Sequence, residues 1–175
     1  MNKHIKNLIL SAFFLSLCIV LPFLTGQIPQ IGSMLSPMHI PVFICGMVCG
    51  WQWGLAVGFI APLLRWLMFG MPPMPTCIAM AVELAAYGVV SGLLYKLLPK
   101  KFCYTYISLI GAMIIGRFAW GGMMWIIMSA SGSAFTLSAF IAGAVMECIP
   151  GIILHLLLIP IIILILKKAR LISNE

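Results

Sequence analysis

Residues 151–170 read GIILHLLLIPIIILILKKAR. Sixteen residues carrying one ionisable side chain, His155, run directly into Lys167, Lys168 and Arg170. Upstream the same apolar segment reaches back to about Leu137. A helix rises 1.5 Å per residue, so roughly 20 apolar residues cross the ~30 Å hydrocarbon layer of a bilayer. A basic cluster closing such a run marks the cytoplasmic boundary of a membrane span.

The pattern repeats along the chain. Polar or helix-breaking stretches at 26–34 (GQIPQIGSM), 50–54 (GWQWG), 70–75 (GMPPMP) and 131–133 (SGS), with the Pro99–Lys101 boundary, divide it into six apolar segments. They lie at about 5–25, 35–49, 53–69, 76–98, 104–130 and 137–166. Pro37 and Pro41 fall near the start of the second segment, where proline is tolerated. At about 22 Å that segment is short, so segments two and three are read either as two crossings or as one re-entrant pair. The first segment is long for a secretory signal and has no small-residue cleavage pattern after it, so it is read as a retained helix.

Of 175 residues, 63% are hydrophobic and 7% charged, with a mean hydropathy of +1.19. A soluble domain needs roughly 25% charged residues to face water. The expectation is an all-α integral membrane protein, one domain spanning 1–175, built as a compact bundle of about six transmembrane helices. The net charge of +7 does not indicate nucleic acid, because Lys3, Lys6, Lys96, Lys100, Lys101, Lys167, Lys168 and Arg170 all flank apolar runs. The three loops on the opposite side contain no Lys or Arg. That asymmetry predicts both termini in the cytoplasm. The six cysteines and thirteen methionines lie in or beside apolar runs without ligand spacing, so they are read as packing residues, with no metal site and no disulfide framework.

Arg65, Glu83, Arg117 and Glu147 fall inside the spans. Each costs about 2.5–3.5 kcal/mol at the bilayer centre if it faces lipid, so each must face the bundle interior, pair, or line water. Gly54, Gly58, Ala61 and Arg65 share one helical stripe, and small residues on it allow close helix approach. Met113, Arg117, Trp120 and Met124 form a second stripe, and Phe140, Ala144, Glu147 and Gly151 a third. His155, rotated ~80° from Glu147 by the 3.6-residue period, is left outside the site. The candidate site therefore comprises His39, Arg65, Glu83, Tyr87, Arg117, Trp120, Trp125 and Glu147, gathered toward the end of the bundle away from the lysines. The alternative makes Arg65–Glu83 and Arg117–Glu147 structural ion pairs that only fix helix register.

Pro37-Met38-His39-Ile40-Pro41-Val42, the glycines at 46, 50, 54 and 58, Gly70-Met71-Pro72-Pro73, Glu83-Leu84-Ala85-Ala86-Tyr87-Gly88 and Pro150-Gly151-Ile152-Ile153-Leu154 together resemble the substrate-binding S components of energy-coupling-factor (ECF) vitamin transporters. The resemblance spans nearly the whole chain. It implies a six-helix bundle in the bacterial cytoplasmic membrane that binds a vitamin or precursor near its outer face. It also implies a transmembrane T component and two cytosolic ATPases as partners, the first helix docking through a small-x3-small pattern, here Ala12 and Ser16. Ligand contacts would come from the first outer loop, including Gln30, and from the regions of Glu83, Trp120 and Glu147.

No cofactor motif or nucleotide-binding loop is present in the sequence, so ATP would be hydrolysed by another chain. A membrane enzyme or an accessory subunit is the rival class. It lacks support, because the three histidines are dispersed and neither a His-Glu-x-x-His nor a Gly-x-Ser-x-Gly motif occurs. Arg117 beside Trp120 suits a small solute with a carboxylate, to which the guanidinium presents a planar fork, or one with many hydroxyl and amide groups. Among the vitamins of the resembling family, pantothenate fits best, followed by a pyridoxine-like or flavin ligand.

Overall fold

A computed structural model describes residues 3–25, 34–99, 102–132, 136–144 and 148–168. They form seven α-helices and, among the described residues, no strand: α1 Lys3–Val20, continued by a 3-10 turn Leu21–Thr25, α2 His39–Cys49, α3 Trp51–Phe69, α4 Met74–Leu97, α5 Phe102–Ala130, α6 Leu137–Ala144 and α7 Ile149–Lys168. Five segments are long and apolar enough to cross a membrane: His4–Leu24, Trp51–Phe69, Met74–Leu97, Cys103–Ala130 and Ile149–Lys168. The protein is an all-α, multi-pass membrane bundle.

The short second segment behaves differently from its neighbours. Its helix begins only at His39, after a turn at Pro37 and Met38 preceded by Ser36 at φ 45°. Its 11 residues reach only about 16 Å, and all but Val48 are buried. An apolar helix that is covered on every side is a core element, and α2 is the one the others enclose.

Glycine makes that enclosure possible. A Cβ on Gly54 would meet the carbonyl oxygen of Gly88 at 2.7 Å and the Cα of Gly46 at 2.8 Å. One on Gly58 would meet Leu84 backbone carbon at 2.6 Å, and one on Gly92 would meet the backbone nitrogen of Trp51 at 2.7 Å. Thus α2, α3 and α4 touch backbone to backbone, the close approach that small residues permit in lipid. Gly54, Gly58 and Ala61 are buried on the expected stripe.

Helix α1 is tied to both ends of α2. Asn7 Nδ2 donates to the Cys49 carbonyl (3.1 Å), and Cys18 Sγ donates to the Met38 carbonyl (3.5 Å). Phe14 and Cys18 enter the core, while Ile5, Ile9, Phe13 and Val20 remain outside. On the other flank α7 crosses α2, with Gly151, His155, Ile159 and Ile163 buried in line. Gly151 leaves room for the backbone of Met34 and Leu35, whose carbonyl oxygens would lie 2.6 and 3.2 Å from an added Cβ. The apolar stretch expected at 137–166 contains α6 and α7, with Cys148 in a 3-10 turn before the latter and residues 145–147 outside the described residues.

Candidate functional site

The chemistry gathers on one carboxylate. Glu83 is 2% exposed on α4. Its Oε1 accepts the Tyr87 hydroxyl at 2.6 Å and Arg117 Nη1, from α5, at 2.9 Å. Tyr87 lies one turn along α4 from Glu83, the i,i+4 spacing that stacks side chains on one face. His39 Nε2, at the start of α2, stands 3.9 Å from the same oxygen, beyond hydrogen-bond reach. Both His39 ring nitrogens are buried without a hydrogen-bond partner among the described residues. A buried ion pair of this kind offsets much of the desolvation cost of each charge, but removing one partner strands the other.

Aromatic rings continue the cluster. The His39 ring centroid is 5.4 Å from that of Tyr87 and 5.9 Å from that of His155, the two imidazoles nearly parallel at 21°. Phe43, one turn after His39, packs on Tyr87 at 4.6 Å. His155 Nε2 lies 3.2 Å from the carbonyl oxygen of Ser36.

Beside this cluster lies a cavity of about 470 Å³ between α5 and α7. Its polar wall is Tyr87, Arg117 and His155. The remainder is apolar, with Phe43 and Met113 deep in the bundle, Ile114 and Phe118 on α5, and Ile152 and Leu156 on α7. Phe140 of α6 completes it, lying over Gly121, whose missing side chain makes space for the ring, and near Trp120 at 6.5 Å and Phe118 at 6.3 Å. Few polar groups converging in an apolar concavity are the usual make-up of a small-molecule site.

Counted along the helices, Glu83 lies about 14 Å from the start of α4, Arg117 about 20 Å from the end of α5 and His155 about 9 Å from the start of α7. All three measures run from the end of the bundle opposite Lys96, Lys167 and Lys168. The cluster is therefore deep, set toward the lysine-free end.

Of the residues nominated from sequence, His39, Glu83, Tyr87 and Arg117 are brought together, and Tyr87 and Arg117 reach the cavity wall. The structure joins Glu83 to Arg117 rather than to Arg65. Arg65 is half-buried on α3, its Nη1 enclosed without a hydrogen-bond partner among the described residues. Trp120 packs on Gly143 and beside Phe140, outside the cavity wall. Trp125 is 59% exposed and also outside it. Gln30 and Glu147 lie outside the described residues.

His155, Phe43 and Phe140 were not among the nominated residues. The 80° rotation that set His155 aside presumes one helix running from Glu147, whereas the described helix starts at Ile149. Counted from Gly151 instead, His155 falls on the small-and-apolar stripe with Ile159 and Ile163 that faces the core.

A mostly apolar cavity with a braced guanidinium, in a multi-pass helical bundle, has the make-up of a small-molecule site in a membrane protein. Residues 6–163 match the family model for the ECF transporter, substrate-specific component, and the chain belongs to that family. It is a transport subunit of a kind that works with an ECF T component and ATPases. Comparison with curated proteins and with solved structures returned no match.

Proposed function

We propose that this S component captures a small water-soluble vitamin or precursor bearing a carboxylate, held in the cavity between α5 and α7 with Arg117 as its anchor. The observation that carries this reading is the Arg117 guanidinium, among the described residues the one cationic group of a mostly apolar lining, paired with Glu83. A planar fork already oriented binds a carboxylate with little further loss of side-chain freedom. Of the solutes considered, pantothenate carries a carboxylate and pyridoxine and riboflavin do not, so pantothenate is the first choice.

The positions of Lys6, Lys96, Lys167 and Lys168 at one end support cytoplasmic termini, which sets the cavity in the outer half of the membrane. Ala12 and Ser16 are exposed on α1, and the Ser16 hydroxyl donates back to the Ala12 carbonyl at 3.0 Å. A small face with its only hydroxyl internally satisfied suits close packing on the T component. Ala12→Trp is expected to abolish co-purification with that component while leaving solute binding intact.

The test of the main reading is calorimetric titration of detergent-purified protein with pantothenate, pyridoxine and riboflavin, alongside Arg117→Met. Pantothenate binding that weakens by at least about 2 kcal/mol in Arg117→Met, as for truncating one member of a buried charge pair, supports it. Equal binding by the variant and the wild type overturns it and returns Arg117 to a purely structural role.

A further inference from the structure

The cavity's polar wall is short of donors. Tyr87 has one hydroxyl proton, and it is committed to Glu83 Oε1 at 2.6 Å. His155 faces a backbone carbonyl through Nε2, at 3.2 Å from Ser36 oxygen. A carbonyl only accepts, so Nε2 must carry the ring proton and donate it. In the neutral imidazole the other nitrogen, Nδ1, then carries a lone pair. Among the described residues no hydrogen bond engages Nδ1, and it is not sealed away as both His39 nitrogens are. The side chain itself is 4% exposed and lines the cavity. Arg117 is thus the donor, while Tyr87 and His155 offer oxygen and nitrogen lone pairs.

We infer that His155 Nδ1 is a specificity-determining acceptor, and that this cavity selects acids which also carry an O–H or N–H donor on an otherwise apolar body. This rests on the proposal that the cavity takes a carboxylate-bearing vitamin. A solute with a carboxylate and no donor leaves Nδ1 buried and unpaired, and an unmade hydrogen bond of that kind costs more than an absent one. The reason lies in the fold: α7 crosses α2 where Ser36 turns its carbonyl toward the helix, so a loop outside the cavity decides which nitrogen is bare inside it.

Two measurements test this on the full-length protein in detergent. Nitrogen NMR of histidine-labelled protein reports the tautomer without any solute, His155 being identified among three histidines by comparison with His155→Phe and His4→Ala. A proton on Nε2 is expected, and a proton on Nδ1 overturns the inference. Titration then compares pantothenate and biotin, which pair a carboxylate with donors, against lipoate, which has the carboxylate and no donor. The better donor-bearing acid is expected to exceed lipoate by about ten-fold or more, the worth of one hydrogen bond, and His155→Phe is expected to erase that gap. Lipoate binding as tightly as either acid, with its dependence on Arg117 retained, refutes the donor requirement and leaves the carboxylate reading standing. Binding of pyridoxine or riboflavin in place of all three acids refutes the carboxylate reading. The same His155→Phe variant then decides the donor requirement on that solute, whose hydroxyls should lose about ten-fold. If none of the five binds, the carboxylate reading falls and the histidine spectrum alone decides the acceptor.

Discussion

Helices α2, α3 and α4 meet backbone against backbone, whereas the glycines of α5 and α6 that touch a neighbour meet its side chains. In the first region Gly46, Gly54, Gly58, Gly88 and Gly92 leave no space for a Cβ. In the second, Phe140 lies over Gly121 and Trp120 beside Gly143, rings against glycines, and a cavity of about 470 Å³ remains. A substitution in the glycine block pushes on main chain, which cannot give way. One at Gly121 or Gly143 pushes on rings that can rotate. On the proposed reading the second kind of region supplies the volume a solute must find and leave again, and the first kind the fixed wall beside it.

The largest effect should fall on the joint between the two regions, the Glu83–Arg117 pair. Either Glu83→Gln or Arg117→Met leaves a buried charge or polar group short of its partner and should lower stability by about 3–5 kcal/mol. The double variant should recover part of that loss, a coupling read from thermal unfolding of all four proteins. Strict additivity would mean that the two sides are not joined through this pair.

Next in size is a test of the glycine block alone. Gly88→Ala drives a methyl group into the Gly54 backbone and should destabilise by about 1–3 kcal/mol. Gly122→Ala, on α5 with open space where its Cβ would go, should be neutral or stabilise by up to about 1 kcal/mol through helix propensity. Equal effects at the two sites would erase the distinction between the halves.

A smaller effect is expected at Gly121→Ala, where the added methyl meets the Phe140 ring. The ring must shift over the cavity, so solute affinity should change while stability falls by no more than about 1 kcal/mol. Smallest is Trp125→Leu, on an exposed position outside the cavity, expected to stay within about 0.5 kcal/mol in stability and to leave binding unchanged.

Much of this was legible in the sequence. Apolar length, the Gly-Pro breaks and the lysine flanks predicted a helical membrane bundle, because the free energy of transferring a segment from water into lipid follows from its composition and length. The stripe Gly54, Gly58, Ala61 also followed from spacing, and the cost of intramembrane charge singled out Glu83 and Arg117 before any contact was known. Those inferences need only local chemistry and the helical period.

What the sequence left open were choices between distant partners. Two arginines and two glutamates allow several pairings, and only the crossing of α4 with α5 decides that Glu83 meets Arg117 at 2.9 Å while Arg65 stands apart on α3. A rotation counted from Glu147 sets His155 aside, whereas along the described helix α7, Ile149–Lys168, it is buried in line with Gly151, Ile159 and Ile163. The tautomer of His155 depends on Ser36, 119 residues away, a contact with no trace in local spacing. Burial cost tells which side chains must find partners; the helix crossings, set by how the faces of distant helices pack, tell which partners they find.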